Sequence, residues 1–170
     1  MSHVMKANAQ YCSNVAMKVN AKLGGTTCKV VCPPTKPFFK GLTMVIGADV
    51  SHAAPQSPQG SMAALTVSLD KDLCRYAASV ETNGSRVEMI TKDNLRKMLT
   101  PHFKSWVLNP NLGGGKKCPD QIYYFRDGVS EGQYSHVLDQ EVAHMQQILK
   151  ETPMANQIDA VSSRIIPLET

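Results

Sequence analysis

Two short apolar runs in this chain each deliver an aspartate at the point where the run stops. Residues 42–48 are mostly apolar and end at Asp49, followed by Val50-Ser51-His52. The run Ile122-Tyr123-Tyr124-Phe125 ends in Arg126-Asp127-Gly128. Apolar runs of this length, bounded by turn residues, read as strands buried on both faces or nearly so. A fold that places the two strand ends side by side would put two carboxylates at one sheet edge. Few architectures do that with strands so far apart in the chain.

At 170 residues the chain suits one domain of ordinary size. A hydrophobic fraction of 42% and a charged fraction of 19% exclude a disordered chain. The net charge of +4 mildly favours a polyanionic partner. Five cysteines, odd in number and irregular in spacing, read as reduced thiols rather than a disulfide framework or a zinc site. There is no apolar leader and no stretch of 18 apolar residues, so a soluble intracellular protein without a membrane segment is expected.

The spacing predicts a helix over 9–23, stopped by Gly24-Gly25. A proline-rich connector follows, with a short strand at 29–32 and a boundary near 33–37. Strands are expected at 42–50, 61–69 and 74–81, joined as a meander, then a helix from Glu88 to about Leu108 that Pro101 should kink or split. Glycines 113–115 read as a mobile loop. A fourth strand at 121–125 and a second long helix at 134–149, with Ser130 as cap, complete the pattern. A strand within 158–166 has nothing in the sequence to fix its pairing. Three strands, a helix, a strand and a helix is the order of an α/β, ribonuclease-H-like mixed sheet, here incomplete. In that fold strands one and four are parallel neighbours, and Asp49 and Asp127 meet at the sheet edge where α/β proteins bind ligands.

Two carboxylates that close repel unless cations intervene. Magnesium, or manganese in its place, takes oxygen ligands and substrate phosphate, and a pair of such ions clamps both oxygens of an in-line displacement. Glu88 is the first choice for a further ligand, with Glu81 and Asp93 as alternatives. Each aspartate alone reads first as a turn or cap residue, and Glu88 alone as a carboxylate favoured at a helix N-terminus. The pair at matching strand ends is what favours a site. Lys18 and Lys22 form a like-charged i, i+4 pair, either a solvated face or a phosphate clamp.

Three segments carry a family resemblance. Residues 13–25, Ser-Asn-Val-Ala-Met-Lys-Val-Asn-Ala-Lys-Leu-Gly-Gly, resemble the segment joining the MID and PIWI domains of eukaryotic Argonaute proteins. Gly47-Ala48-Asp49-Val50-Ser51-His52 resembles the first catalytic motif of the PIWI domain, and residues 124–133 resemble the second. The resemblance implies residues 1–37 as the end of a MID domain with its linker, 38–153 as the N-terminal part of a PIWI domain, and 154–170 as a divergent tail. It implies Asp49, Glu88 and Asp127 as catalytic residues, the aspartates as metal ligands, and Lys18 and Lys22 as contacts to a guide's 5′-phosphate. It implies a small guide RNA, a target RNA and proteins of a silencing complex as partners, acting in the cytoplasm with the nucleus as the alternative. The family's fourth catalytic residue would fall beyond Thr170, so independent cleavage is not expected of this chain. A non-catalytic nucleic-acid-binding or interaction fragment is the alternative reading. Half of a PIWI domain should also leave one sheet face short of cover.

Overall fold

The computed structural model describes residues 8–31, 41–54, 58–109, 112–113, 117–152 and 165–168, the last four by backbone alone. The boundary at 33–37 and most of the tail lie outside the described residues. The chain divides into two compact units, Met1–Val31 and Cys32–Thr170.

The first unit is built on α1 (Ala9–Lys22). Asn8 caps it, its side chain accepting from the Tyr11 amide at 2.8 Å. The chain leaves through Gly24 at φ +81°, the left-handed exit that glycine makes without strain. The strand expected at 29–32 is not formed. Residues 29–31 have no regular structure, and Cys32 lies outside the described residues.

The second unit holds a five-stranded sheet in the order β3-β2-β1-β4-β5. Strands β1 (Thr43–Ser51), β2 (Met62–Ser68) and β3 (Tyr76–Thr82) form the antiparallel meander. β4 (Gln121–Arg126) then lies parallel to β1, with Ile46 opposite Tyr124 and Ala48 opposite Arg126. This is the mixed, ribonuclease-H-like α/β sheet that the element order implies. β5 (Ile165–Leu168) adds a parallel edge, Ile122 opposite Ile165. Pro167 is tolerated there because an edge strand can spare an N–H.

Side-chain alternation decides which sheet face is covered. Met44, Ile46 and Ala48 of β1 and Ala63, Leu65 and Val67 of β2 point to one side and are buried. α2 (Lys92–Leu108) and α4 (Ala143–Lys150) pack there, α2 supplying Leu95, Met98, Leu99, Phe103 and Trp106 at helical spacing. Each large apolar side chain buried in this way contributes about 1.5–3 kcal/mol. Opposite faces of β2 and β3 leave Met62, Thr66, Tyr76 and Val80 exposed.

Two expectations about α2 need correction. Its cap is Thr91, whose side chain accepts from the Asn94 amide at 3.3 Å, so the helix begins at Lys92 and Glu88 stands in the loop before it. The hydroxyl cap outcompetes a start at a carboxylate that has no such acceptor geometry. Pro101 does not divide the helix, which runs unbroken to Leu108. Proline sits on the exposed side, and the apolar stripe on the other side is buried throughout. Packing of that stripe outweighs the missing hydrogen bond. Gly113 likewise owes its place to close approach: a Cβ there would fall 2.1 Å from the Trp106 ring.

His102 on α2 bonds Ser79 of β3 at 2.7 Å, and burial pushes its pKa below the usual histidine range. The folded state therefore favours the neutral ring, while the unfolded chain takes up a proton more readily. The resulting stability is present above the unfolded pKa of about 6.5 and is lost as pH falls through the folded value. Denaturant titrations between neutral and mildly acidic pH should show this loss, and His102→Gln should flatten it.

Candidate functional site

The parallel pairing of β1 and β4 carries straight into the site. One step beyond the Ala48–Arg126 pair, the Asp127 amide donates to the Ala48 carbonyl at 3.0 Å. Asp49 and Asp127 are thereby neighbours at the C-terminal ends of adjacent strands, both exposed. They line one open cleft of about 240 Å³ with Gly47, Ala64, Thr66 and Phe125. Gly128 closes the turn at φ +78°, a conformation that favours glycine, and donates its amide to the Asp127 carboxylate at 2.8 Å. A Cβ on Gly128 would lie 3.4 Å from the Asp49 carboxylate, which shows how near the two acidic positions are.

Glu88 is placed differently. It is absent from the residues lining that cleft. Its carboxylate bonds the Nε2 of His52 at 2.7 Å, and the Nδ1 of His52 meets the Ser61 hydroxyl at 2.7 Å. His52 follows β1 three residues after Asp49, so one strand exit serves both the aspartate and the glutamate. The alternatives Glu81 and Asp93 stand on β3 and in the first turn of α2. Among the described residues, no group of three or more histidine, cysteine or acidic side chains is gathered tightly enough to hold a metal ion. The oxygen donors of Asp49 and Asp127 still suit a hard divalent cation, because an open cleft lets water and phosphate fill the remaining positions. Lys18 and Lys22 are exposed on α1, in the first unit.

Beneath the aspartates lies a buried polar cluster. Arg126 is 3% exposed and Glu141 is 0% exposed. The Glu141 carboxylate accepts from Arg126 Nε at 3.2 Å, from the Tyr124 hydroxyl at 2.6 Å and from the Ile90 amide at 2.8 Å. Burial and the Glu141 charge push the Tyr124 hydroxyl well above the usual tyrosine range. Arg126 spends its other nitrogens on the carbonyls of Asp127 and Glu88, the latter at 2.6 Å. One buried guanidinium thus ties together the backbones that carry two of the acidic residues. Glu141 sits in a π-helical stretch, Val137–Val142, that links α3 (Tyr134–His136) to α4. A signal for it is present in the sequence: Val137, Glu141, Met145 and Ile148 repeat at helical spacing, and a charge on an apolar stripe calls for a buried partner.

Comparison with known proteins agrees with this geometry. Residues 1–161 match the Piwi domain family. The chain is 30% identical over 145 residues to the protein argonaute of Schizosaccharomyces pombe, covering 85% of this chain and 16% of that protein. It is 37% identical over 147 residues to argonaute 4A of Oryza sativa subsp. japonica, covering 81% of this chain and 16% of the relative. Among solved structures it is similar to the MID-PIWI domains of N. crassa QDE-2 AGO, with TM-score 0.71 and 31% identity over 97% of this chain and 44% of that one. It is also similar to Kluyveromyces polysporus Argonaute with a guide RNA, with TM-score 0.69 and 30% identity over 85% of this chain and 16% of that one. The chain therefore spans about a sixth of the length of the two curated relatives.

Proposed function

Since the chain belongs to the Piwi domain family, we propose that it takes part in small-RNA-guided binding of RNA in gene silencing, with Asp49 and Asp127 as a divalent-metal site. The observation that carries this is the β1–β4 register, which delivers both aspartates to one cleft. Magnesium or manganese would be held by these two carboxylates, and when bound it supplies charge neutralisation for a phosphodiester. The residues themselves orient that charge: the turn at Gly128 fixes Asp127, and β1 fixes Asp49. Glu88, held by His52, is the further acidic group of the site. Lys18 and Lys22 are the contacts for a guide 5′-phosphate, with silencing-complex proteins as further partners and the cytoplasm as the place of action.

The test pairs metal with RNA. Manganese titration of the folded chain should show uptake that Asp127→Ala abolishes. Binding of a 5′-phosphorylated single-stranded RNA should weaken with salt, and replacing Lys18 and Lys22 with alanine should flatten that log–log slope by about 1.4. No manganese uptake by the folded chain, or RNA binding indifferent to salt, would end this reading. A magnesium-dependent cut in a guide-paired target, lost in Asp127→Ala, would extend it to catalysis.

A further inference from the structure

The loop that presents Glu88 is gripped by two side chains that the reading above leaves without a role. Asn83 is 1% exposed and follows β3. Its side-chain nitrogen donates to the Val87 carbonyl at 3.0 Å and to the Met89 carbonyl at 2.9 Å. Its side-chain oxygen accepts from the Thr91 amide at 3.2 Å and from the Asn94 side chain at 3.1 Å. All four hydrogen-bonding positions of the amide are used. With Arg126 on the Glu88 carbonyl, three consecutive carbonyls are held by side chains rather than by strand or helix.

Ser61 reaches the same residue from the other end. Its amide donates to the Gly84 carbonyl at 2.6 Å, and its carbonyl accepts from the Asn83 amide at 2.7 Å, extending the β2–β3 ladder. Its hydroxyl lies 2.7 Å from Nδ1 of His52, whose Nε2 lies 2.7 Å from the Glu88 carboxylate. An ionised carboxylate only accepts, so Nε2 carries a proton. In the neutral ring Nδ1 is then the acceptor, and Ser61 donates to it. Ser61 is 2% exposed, which closes it to substrate and excludes it as a nucleophile.

We propose that Asn83 and Ser61 are positioning residues for Glu88: Asn83 clamps the backbone on either side of it, and Ser61 orients the imidazole that holds its carboxylate. The catalytic meaning of this clamp rests on the reading that Glu88 serves the aspartate pair. The clamp itself is a statement about where Glu88 is kept.

Asn83→Asp preserves shape but turns two donors into acceptors that face the Val87 and Met89 carbonyls. Amide exchange across 84–90 should quicken by about tenfold or more, with β1 and the middle of α2 unchanged. Equal quickening everywhere, or none, would overturn the role of Asn83. Nitrogen-15 spectra of the His52 ring in the unsubstituted chain, taken where the ring is neutral, should show a protonated Nε2 and a bare Nδ1. A ring protonated on Nδ1 alone would overturn the role of Ser61 without any variant. Ser61→Ala should broaden or shift the Nε2–H signal, and Ser61→Thr, which keeps the hydroxyl, should restore it; an unmoved signal in Ser61→Ala also overturns it. Failure of the unsubstituted chain to take up manganese would sink the metal reading, while the exchange and ring spectra would still decide the clamp.

Discussion

Replacing Glu141 with alanine is expected to cost about 3–5 kcal/mol of folding stability, measured by denaturant unfolding. The reason is the asymmetry of a buried ion pair. With Glu141 gone, Arg126 keeps its charge at 3% exposure and loses its carboxylate. The Tyr124 hydroxyl and the Ile90 amide lose their acceptor at the same time. The damage should reach the site, because the freed guanidinium also holds the Asp127 and Glu88 carbonyls. Replacing Arg126 and Glu141 together with apolar residues should restore part of the loss, since no lone charge then remains. A Glu141→Ala protein as stable as the unsubstituted chain would show that water or a rearranged side chain satisfies Arg126.

Asp49→Asn should have the opposite character. Without metal it is expected to leave folding stability unchanged or slightly raised, because one of two neighbouring like charges is removed. With manganese at about 100 times its dissociation constant, the unsubstituted chain should gain about 2.7 kcal/mol, and the variant almost none. Thermal unfolding with and without the ion reads both effects. A gain retained in the Asp49→Asn variant would move the ion away from the strand ends. Loss of stability without metal would mean that Asp49 serves the turn rather than a ligand; the nearness of its carboxylate to Gly128 makes that the outcome to measure against.

The sheet was legible because its strands carry their own signal. Apolar runs closed by turn residues mark β1 and β4, and their aspartates fall at strand ends whatever the rest of the chain does. The helix positions were legible for the same reason, from the stripe through Leu95, Leu99, Phe103 and Trp106. Helix ends were less so. Thr91 and Glu88 both suit a helix start, and only the hydroxyl's reach to the Asn94 amide separates them. Pro101 reads as a break when the chain is considered alone, and as tolerable once the opposite helix face is buried.

Local patterning along the chain was enough to establish the α/β class, the element order and the two acidic strand ends, because each depends on residues within a few positions of one another. Tertiary structure alone decided the rest: that Glu88 is held by His52, that Arg126 and Glu141 support the site from beneath, and that Asn83 grips the loop. These contacts join residues 36, 15 and 4–11 positions apart through hydrogen bonds whose value depends on burial. Burial belongs to the packed sheet and helices together, and no single stretch of sequence contains it.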